Sequence, residues 1–119
     1  MIDEELIARA IELDVPFMPG AFTPTEVARA ARAGAFAVKI FPASSLGTSF
    51  ISALRDVMPD VRLMPTGGIA ADGVGAWLDA GAAAAGLAGA LSTAWRQGQD
   101  AAVEQTARDA VEAAERSGS

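Results

Sequence analysis

The sequence predicts a parallel α/β fold in which short strands alternate with helices. Three observations point there: brief apolar runs, amphipathic stretches between them, and turn signals at the junctions. Alternation of this kind implies parallel strands joined by helical crossovers.

The elements follow in order. "DEELIARAIELD" places Leu6, Ile7, Ala10, Ile11 and Leu13 at helical spacing behind an acidic first turn. "VPFMPG" is a short apolar run closed by Pro19-Gly20 and reads as a buried strand. "TPTEVARAARAG" opens on threonine, carries Glu26 early and ends at Gly34, as a capped helix does. "FAVKIFP" is a second strand stopped by Pro42. "SLGTSFISALRDVMPD" sets Leu46, Phe50, Ile51, Leu54 and Val57 at helical spacing, with Ser44, Ser45 and Thr48 as its capping residues. "VRLMP" is a third strand, followed by "TGG" and the helix "AADGVGAWLDAG". "AAAAGLAGAL" is a weak fourth strand, and "DAAVEQTARDAVEAAERS" a terminal helix whose tail is expected to fray from about residue 116. Trp77 and Trp95 stand at helical positions and are expected in the core.

One helix followed by four strand–helix units makes either a small open sheet or half of a (β/α)8 barrel. A complete barrel needs about 200–250 residues, and this chain has 119. A single domain over residues 1–119 is expected.

Composition narrows the chemistry. Net charge is −6 and the eight arginines are scattered, so no basic patch exists to hold nucleic acid. Without cysteine or histidine there is no disulfide, no thiolate or imidazole metal site and no Ser-His triad. The acidic, amphipathic N-terminus is not a signal peptide, and no apolar run is bulky and long enough to span a bilayer. We therefore expect a soluble, cytoplasmic protein with no membrane or nucleic-acid partner and no cofactor.

Against that background one residue stands out. Lys39 is the only lysine, and it lies inside the apolar strand "AFAVKIFP". Strand alternation puts Ala37, Lys39 and Phe41 on one face and Val38 and Ile40 on the other. In a barrel the first set faces a dry lumen, where burial disfavours the ammonium form and leaves an amine able to attack a ketone. The alternative is a lysine that snorkels to the strand end or pairs with a carboxylate. A second constellation, "MPTGGIAADG", places Thr66, Gly67 and Gly68 between a strand and a helix. Backbone amides can approach an anion there, although many such loops are ordinary tight turns. Asp14, Glu26, Asp60 and Asp72 read as helix-end or loop residues, and no carboxylate is evident on a strand beside Lys39.

"VKIFPAS" followed by "PTGGI", with "VPFMPGAFTPTE" before them, resembles the C-terminal half of 2-keto-3-deoxy-6-phosphogluconate (KDPG) aldolase. The wider family includes 4-hydroxy-2-oxoglutarate aldolase and the phosphogalactonate enzyme. The resemblance covers essentially the whole chain and implies strands five to eight of a (β/α)8 barrel, a TIM barrel, preceded by one helix. It implies a class I aldolase of 2-keto-3-deoxy-6-phospho sugar acids, yielding pyruvate plus an aldehyde such as glyceraldehyde 3-phosphate. Lys39 would be its Schiff-base lysine, Phe41 would flank the pyruvyl group, and Thr66, Gly67 and Gly68 would hold phosphate. Ala88 and Gly89 stand where the family has Gly-Ser, which leaves a backbone contact to the anion. The family's first four strands, with a proton-shuttling glutamate and a carboxylate-binding arginine, have no counterpart here. Two other readings compete: an inactive half-barrel, and a phosphate-binding module in which Lys39 pairs with the anion. Exposed sheet edges on a half-barrel lead us to expect a homo-oligomer.

Overall fold

Helix α1 (Glu4–Glu12) starts where Asp3, as N-cap, accepts a hydrogen bond from the Leu6 amide at 3.0 Å. Ile2 and Ile7 are the residues of this region that reach the core; Leu6, Ile11 and Leu13 stay exposed. The structure is a computed structural model and describes residues 2–117.

The expected strand at Val15–Gly20 shortens to β1 (Gly20–Ala21). Pro16 and Pro19 have no amide to donate, so a regular ladder cannot run through them. Carbonyls along the segment still accept: the Phe36 amide donates to the Phe17 carbonyl at 3.1 Å, and the Lys39 amide to that of Pro19 at 2.9 Å. Val15 and Met18 are exposed rather than buried.

Helix α2 (Pro24–Arg32) begins with a complete capping box between Thr23 and Glu26 and ends before Gly34, at φ +94°. Glu26 accepts from the Phe22 and Thr23 amides and from the Thr23 hydroxyl. The Phe22 amide first, then the Thr23 hydroxyl, hold its carboxyl below the ordinary value of 4.5.

Strand β2 (Val38–Ile40) runs parallel between β1 and β3 (Leu63–Pro65). Between β2 and β3 lie a 3₁₀ turn (Ala43–Ser45) and helix α3 (Thr48–Val57). Gly47, at φ +80°, is the N-cap of α3 and provides no side chain, so the expected capping by Ser44, Ser45 and Thr48 does not occur. Ser44 and Ser45 belong to the 3₁₀ turn, and Thr48 is already helical. A second 3₁₀ turn (Ala71–Gly73) leads into α4 (Val74–Asp79).

The expected fourth strand reduces to a single parallel bridge, Thr66 to Gly86, with amides of Ala83 and Gly86 donating to Leu63 and Pro65. Alanine and glycine have little side chain to pack on a pleated surface, so the segment gains little from strand geometry. Helix α5 (Gly89–Glu115) breaks at Gly98 and at Gln99, which takes φ +58°. The amides of Arg116 and Ser117 bond to Glu112 and Ala114, and the rest of the tail expected to fray lies outside the described residues.

The core lies on one side of the sheet. Val38 and Ile40 from β2 and Leu63 from β3 pack with Val27, Ile51 and Leu54 from the helices. Trp77 is buried in the same cluster, whereas Trp95 is exposed. The other sheet face carries Lys39 and Phe41, as the alternation requires.

Candidate active site

Two fully buried neighbours fix the position of Lys39. Val38 and Ile40 anchor the strand in the core, and the Lys39 and Val38 amides donate to the carbonyls of Pro19 and Arg62. In register, Lys39 stands between Gly20 of β1 and Met64 of β3. Because Gly20 has no side chain, the amine opens onto a cleft of about 270 Å³. Asp3, Leu6, Phe17 and Met18 also line it. The Lys39 Nζ lies 5.2 Å from the centroid of the Phe41 ring, a cation–π distance. Lys39 is half-buried and Phe41 is exposed, so the dry lumen expected from the sequence is here an open trough.

Phe41 also connects this cleft to the glycine loop. Gly67 has φ +101° and Gly68 φ +75°, both in the left-handed region. A Cβ at Gly67 would fall 3.0 Å from the Phe41 ring, and one at Gly68 would fall 2.4 Å from the Ser44 Oγ. The loop is held from below: the Ala43 and Ser44 amides donate to the Thr66 and Gly67 carbonyls at 2.8 and 3.0 Å. Among the described residues the Gly67 and Gly68 amides have no hydrogen-bond partner. The Thr66 hydroxyl donates to the Met64 carbonyl at 3.4 Å, and Gly86 lies so close that a Cβ there would sit 2.4 Å from it.

Ala88 is the N-cap of α5 without any side-chain cap, and Gly89 begins the helix with open space around it. Gly68 and Gly89 line one hollow of about 420 Å³, together with Thr93 and Gln97. The structure thus brings Lys39 together with Phe41, Phe41 against Gly67, and Gly68 toward Gly89. Thr66 faces Gly86 rather than opening freely to solvent.

None of the carboxylates named from the sequence lines the cleft. Glu26 is committed to the capping box. Asp14 lines a separate, largely apolar hollow of about 350 Å³ between the end of α1 and the strand starts. Sequence reasoning missed Gly20 and Asp3. The register of β1 on β2 reveals the first, and the lining of the cleft, which Asp3 shares with Gly20 and Lys39, reveals the second. Asp3 carried a signal only as a helix cap. Among the described residues no three carboxylates gather as a metal site, and no helix is long and apolar enough to cross a membrane.

Known proteins resemble this chain in sequence and in fold. The family model for KDPG and KHG aldolase (KHG, 4-hydroxy-2-oxoglutarate) matches residues 1–106. The 2-dehydro-3-deoxy-6-phosphogalactonate aldolase of Escherichia coli strain K12 is 42% identical over 111 residues, 92% of this chain and 52% of that protein. A solved structure described as native KDPGal superposes with a TM-score of 0.84 at 38% identity, over 97% of this chain and 55% of the other. A cube-shaped cage designed by fusing symmetric oligomeric domains superposes with a TM-score of 0.85 at 38% identity, over 97% of this chain and 42% of that one. The chain thus spans about half the length of the relatives it matches. A parallel α/β fold shared with these aldolases, and a family match over most of the sequence, establish that the chain belongs to the KDPG and KHG aldolase family.

Proposed function

We propose that this chain carries the imine-forming half of a class I aldolase. Its substrate is a 2-keto-3-deoxy-6-phospho sugar acid, cleaved to pyruvate and an aldehyde such as glyceraldehyde 3-phosphate. One observation carries the reading: the sole lysine stands on the unpacked face of the sheet, opposite a glycine, at the floor of a cleft. The Lys39 amine attacks the C2 ketone, loses water and leaves an iminium. The iminium accepts the electron pair released when the C3–C4 bond breaks. Phe41 packs beside the pyruvyl group, while the amides of Gly67, Gly68 and Gly89 and the Ala88 cap face the distal phosphate. The hydroxyl of Thr66, turned to the Met64 carbonyl, shapes the loop more than it binds.

In this reading the four βα units form half of a (β/α)8 barrel. The free β1 edge and the segment around Gly86 are the surfaces on which a second copy or a further segment completes it. The likeness to a cage built from symmetric oligomeric domains supports self-association.

The test is chemical trapping. The folded chain is incubated with pyruvate and sodium borohydride and digested for mass spectrometry. We expect a reduced pyruvyl adduct on Lys39. A folded chain that stays unmodified overturns the reading.

A further inference from the structure

We infer that the Phe41 ring stabilises the positive charge of the Lys39 iminium, through a cation–π contact that the glycine loop holds in place. The inference rests on the imine reading of Lys39 and goes beyond the packing of Phe41 beside the pyruvyl group.

Lys39 and Phe41 stand two residues apart on one face, and the Lys39 Nζ lies over the ring, 5.2 Å from its centroid. An aromatic face is negative and attracts a cation within about 6 Å of the centroid. Among the described residues Lys39 belongs to no ion pair. Burial does not explain where the ring sits, because Phe41 is exposed and lies outside the core cluster. Its backbone is held from two sides instead. The Phe41 amide donates to the Ala21 carbonyl at 3.1 Å, and the Ala43 and Ser44 amides donate to the carbonyls of Thr66 and Gly67. Gly67 then limits the ring, since a Cβ there would fall 3.0 Å from both Cδ2 and Cε2. One edge of the ring therefore lies against the glycine backbone, while the amine lies over its face.

The neutral Lys39 amine adds to the C2 carbonyl of the keto acid, and a proton passes from nitrogen to oxygen to give a neutral carbinolamine. The carbinolamine takes one proton from solvent and releases water. What remains is a C=N bond carrying a full positive charge. That cation has fewer N–H groups to offer water than an ammonium, which is compact and strongly hydrated. Cation–π attraction grows as a cation is desolvated. The ring therefore favours the iminium over the ammonium as well as over the carbinolamine.

The experiment replaces Phe41 by phenylalanines bearing one, two and three ring fluorines, which drain the negative face while nearly keeping its shape, and by cyclohexylalanine, which has the bulk and no π face. Phe22 receives the same fluorinated residues as a control, and circular dichroism checks each fold. Each protein is trapped with borohydride over a range of pyruvate concentrations. Half-saturation, which reports the iminium population, is thereby separated from the rate of reduction. We expect the half-saturating pyruvate concentration to rise with each fluorine at Phe41, by about 2–10-fold across the series. Cyclohexylalanine should be at least as weak, and the Phe22 series should show no trend. Half-saturation that ignores fluorine number, or a cyclohexylalanine variant that equals the wild type, overturns the inference and leaves Phe41 a packing residue. Half-saturation that falls with fluorination also overturns it, because the ring is then holding the ammonium. Absence of trapping in the wild type removes the imine reading and this inference together.

Discussion

Gly20 is the ladder partner of Lys39, and no atom lies within 4 Å of the point where its Cβ would be. Partners in register project to the same face of the sheet, so the empty space beside the amine exists because residue 20 has no side chain. Gly20→Val should therefore fold at least as well as the wild type, since β-branched residues suit strands. It should slow trapping of pyruvate at Lys39, with Gly20→Ala intermediate. Labelling of Gly20→Val at the wild-type rate would show that ketones reach the amine by another route.

Lys39→Arg separates charge from nucleophilicity. The guanidinium keeps a cation over the Phe41 ring but does not deprotonate usefully near neutral pH. We expect an unchanged melting temperature and complete loss of the pyruvate adduct. An adduct that persists at another site in this variant would place the reactive amine elsewhere, the N-terminus being the remaining candidate.

The glycine loop is tested by titration with inorganic phosphate, followed through amide chemical shifts. Gly68→Ala meets the Ser44 Oγ in a left-handed backbone conformation, so it should distort the loop and abolish shifts at residues 66–68. Gly89→Ser adds a hydroxyl where space is open. It should tighten binding by about 1.5–3 kcal/mol at most, the worth of a hydrogen bond to a charged group. Shifts spread evenly over the surface, with no focus at the loop, would refute an anion site there.

The capping box of α2 predicts a pH dependence. Amides and a hydroxyl stabilise ionised Glu26, so its carboxyl titrates lower in the folded chain than in the unfolded one. Its contribution is therefore fully present above the ordinary value of 4.5 and is lost as pH falls through the lower, folded value. Glu26→Gln should melt below the wild type at neutral pH, and the two curves should converge in acid. Thr23→Ala, which removes the other half of the box, should cost about 1 kcal/mol. A gap between wild type and Glu26→Gln that stays constant into acid would mean that charge is not the source.

Self-association is the outcome expected of the open sheet. Met18, Phe22 and Phe41 are each 42–52% exposed, and parallel sheets are almost always covered on both faces. Sedimentation at micromolar concentration should give a species heavier than one chain. Replacing Met18 with lysine, which places a charge on the free edge, should shift it toward monomer. A monodisperse monomer with a cooperative melt would defeat the self-association proposal.

Much of the architecture was legible in local chemistry. Thr23 and Glu26 mark the start of α2 three residues apart, and Gly34 its end, because these signals act within one helical turn. Strand alternation assigned Lys39 and Phe41 to one face and Val38 and Ile40 to the other, and their burial follows that division. Resemblance of "VKIFPAS" and "PTGGI" to a family marked the same residues. Local pattern failed where backbone donors or packing partners decided the outcome. Prolines 16 and 19 cut the first strand to two residues, the alanine-rich fourth strand kept one bridge, and Gly47 displaced three serine and threonine caps. The tertiary structure alone decided which residues meet at the amine. Gly20 lies opposite Lys39 because β1 pairs with β2 in one register, and Asp3 and Lys39 line the same cleft. These residues stand 19 and 36 positions from Lys39 in sequence. No local propensity encodes such a distance; it is set by the burial of Val38, Ile40 and Ile7 against the same core.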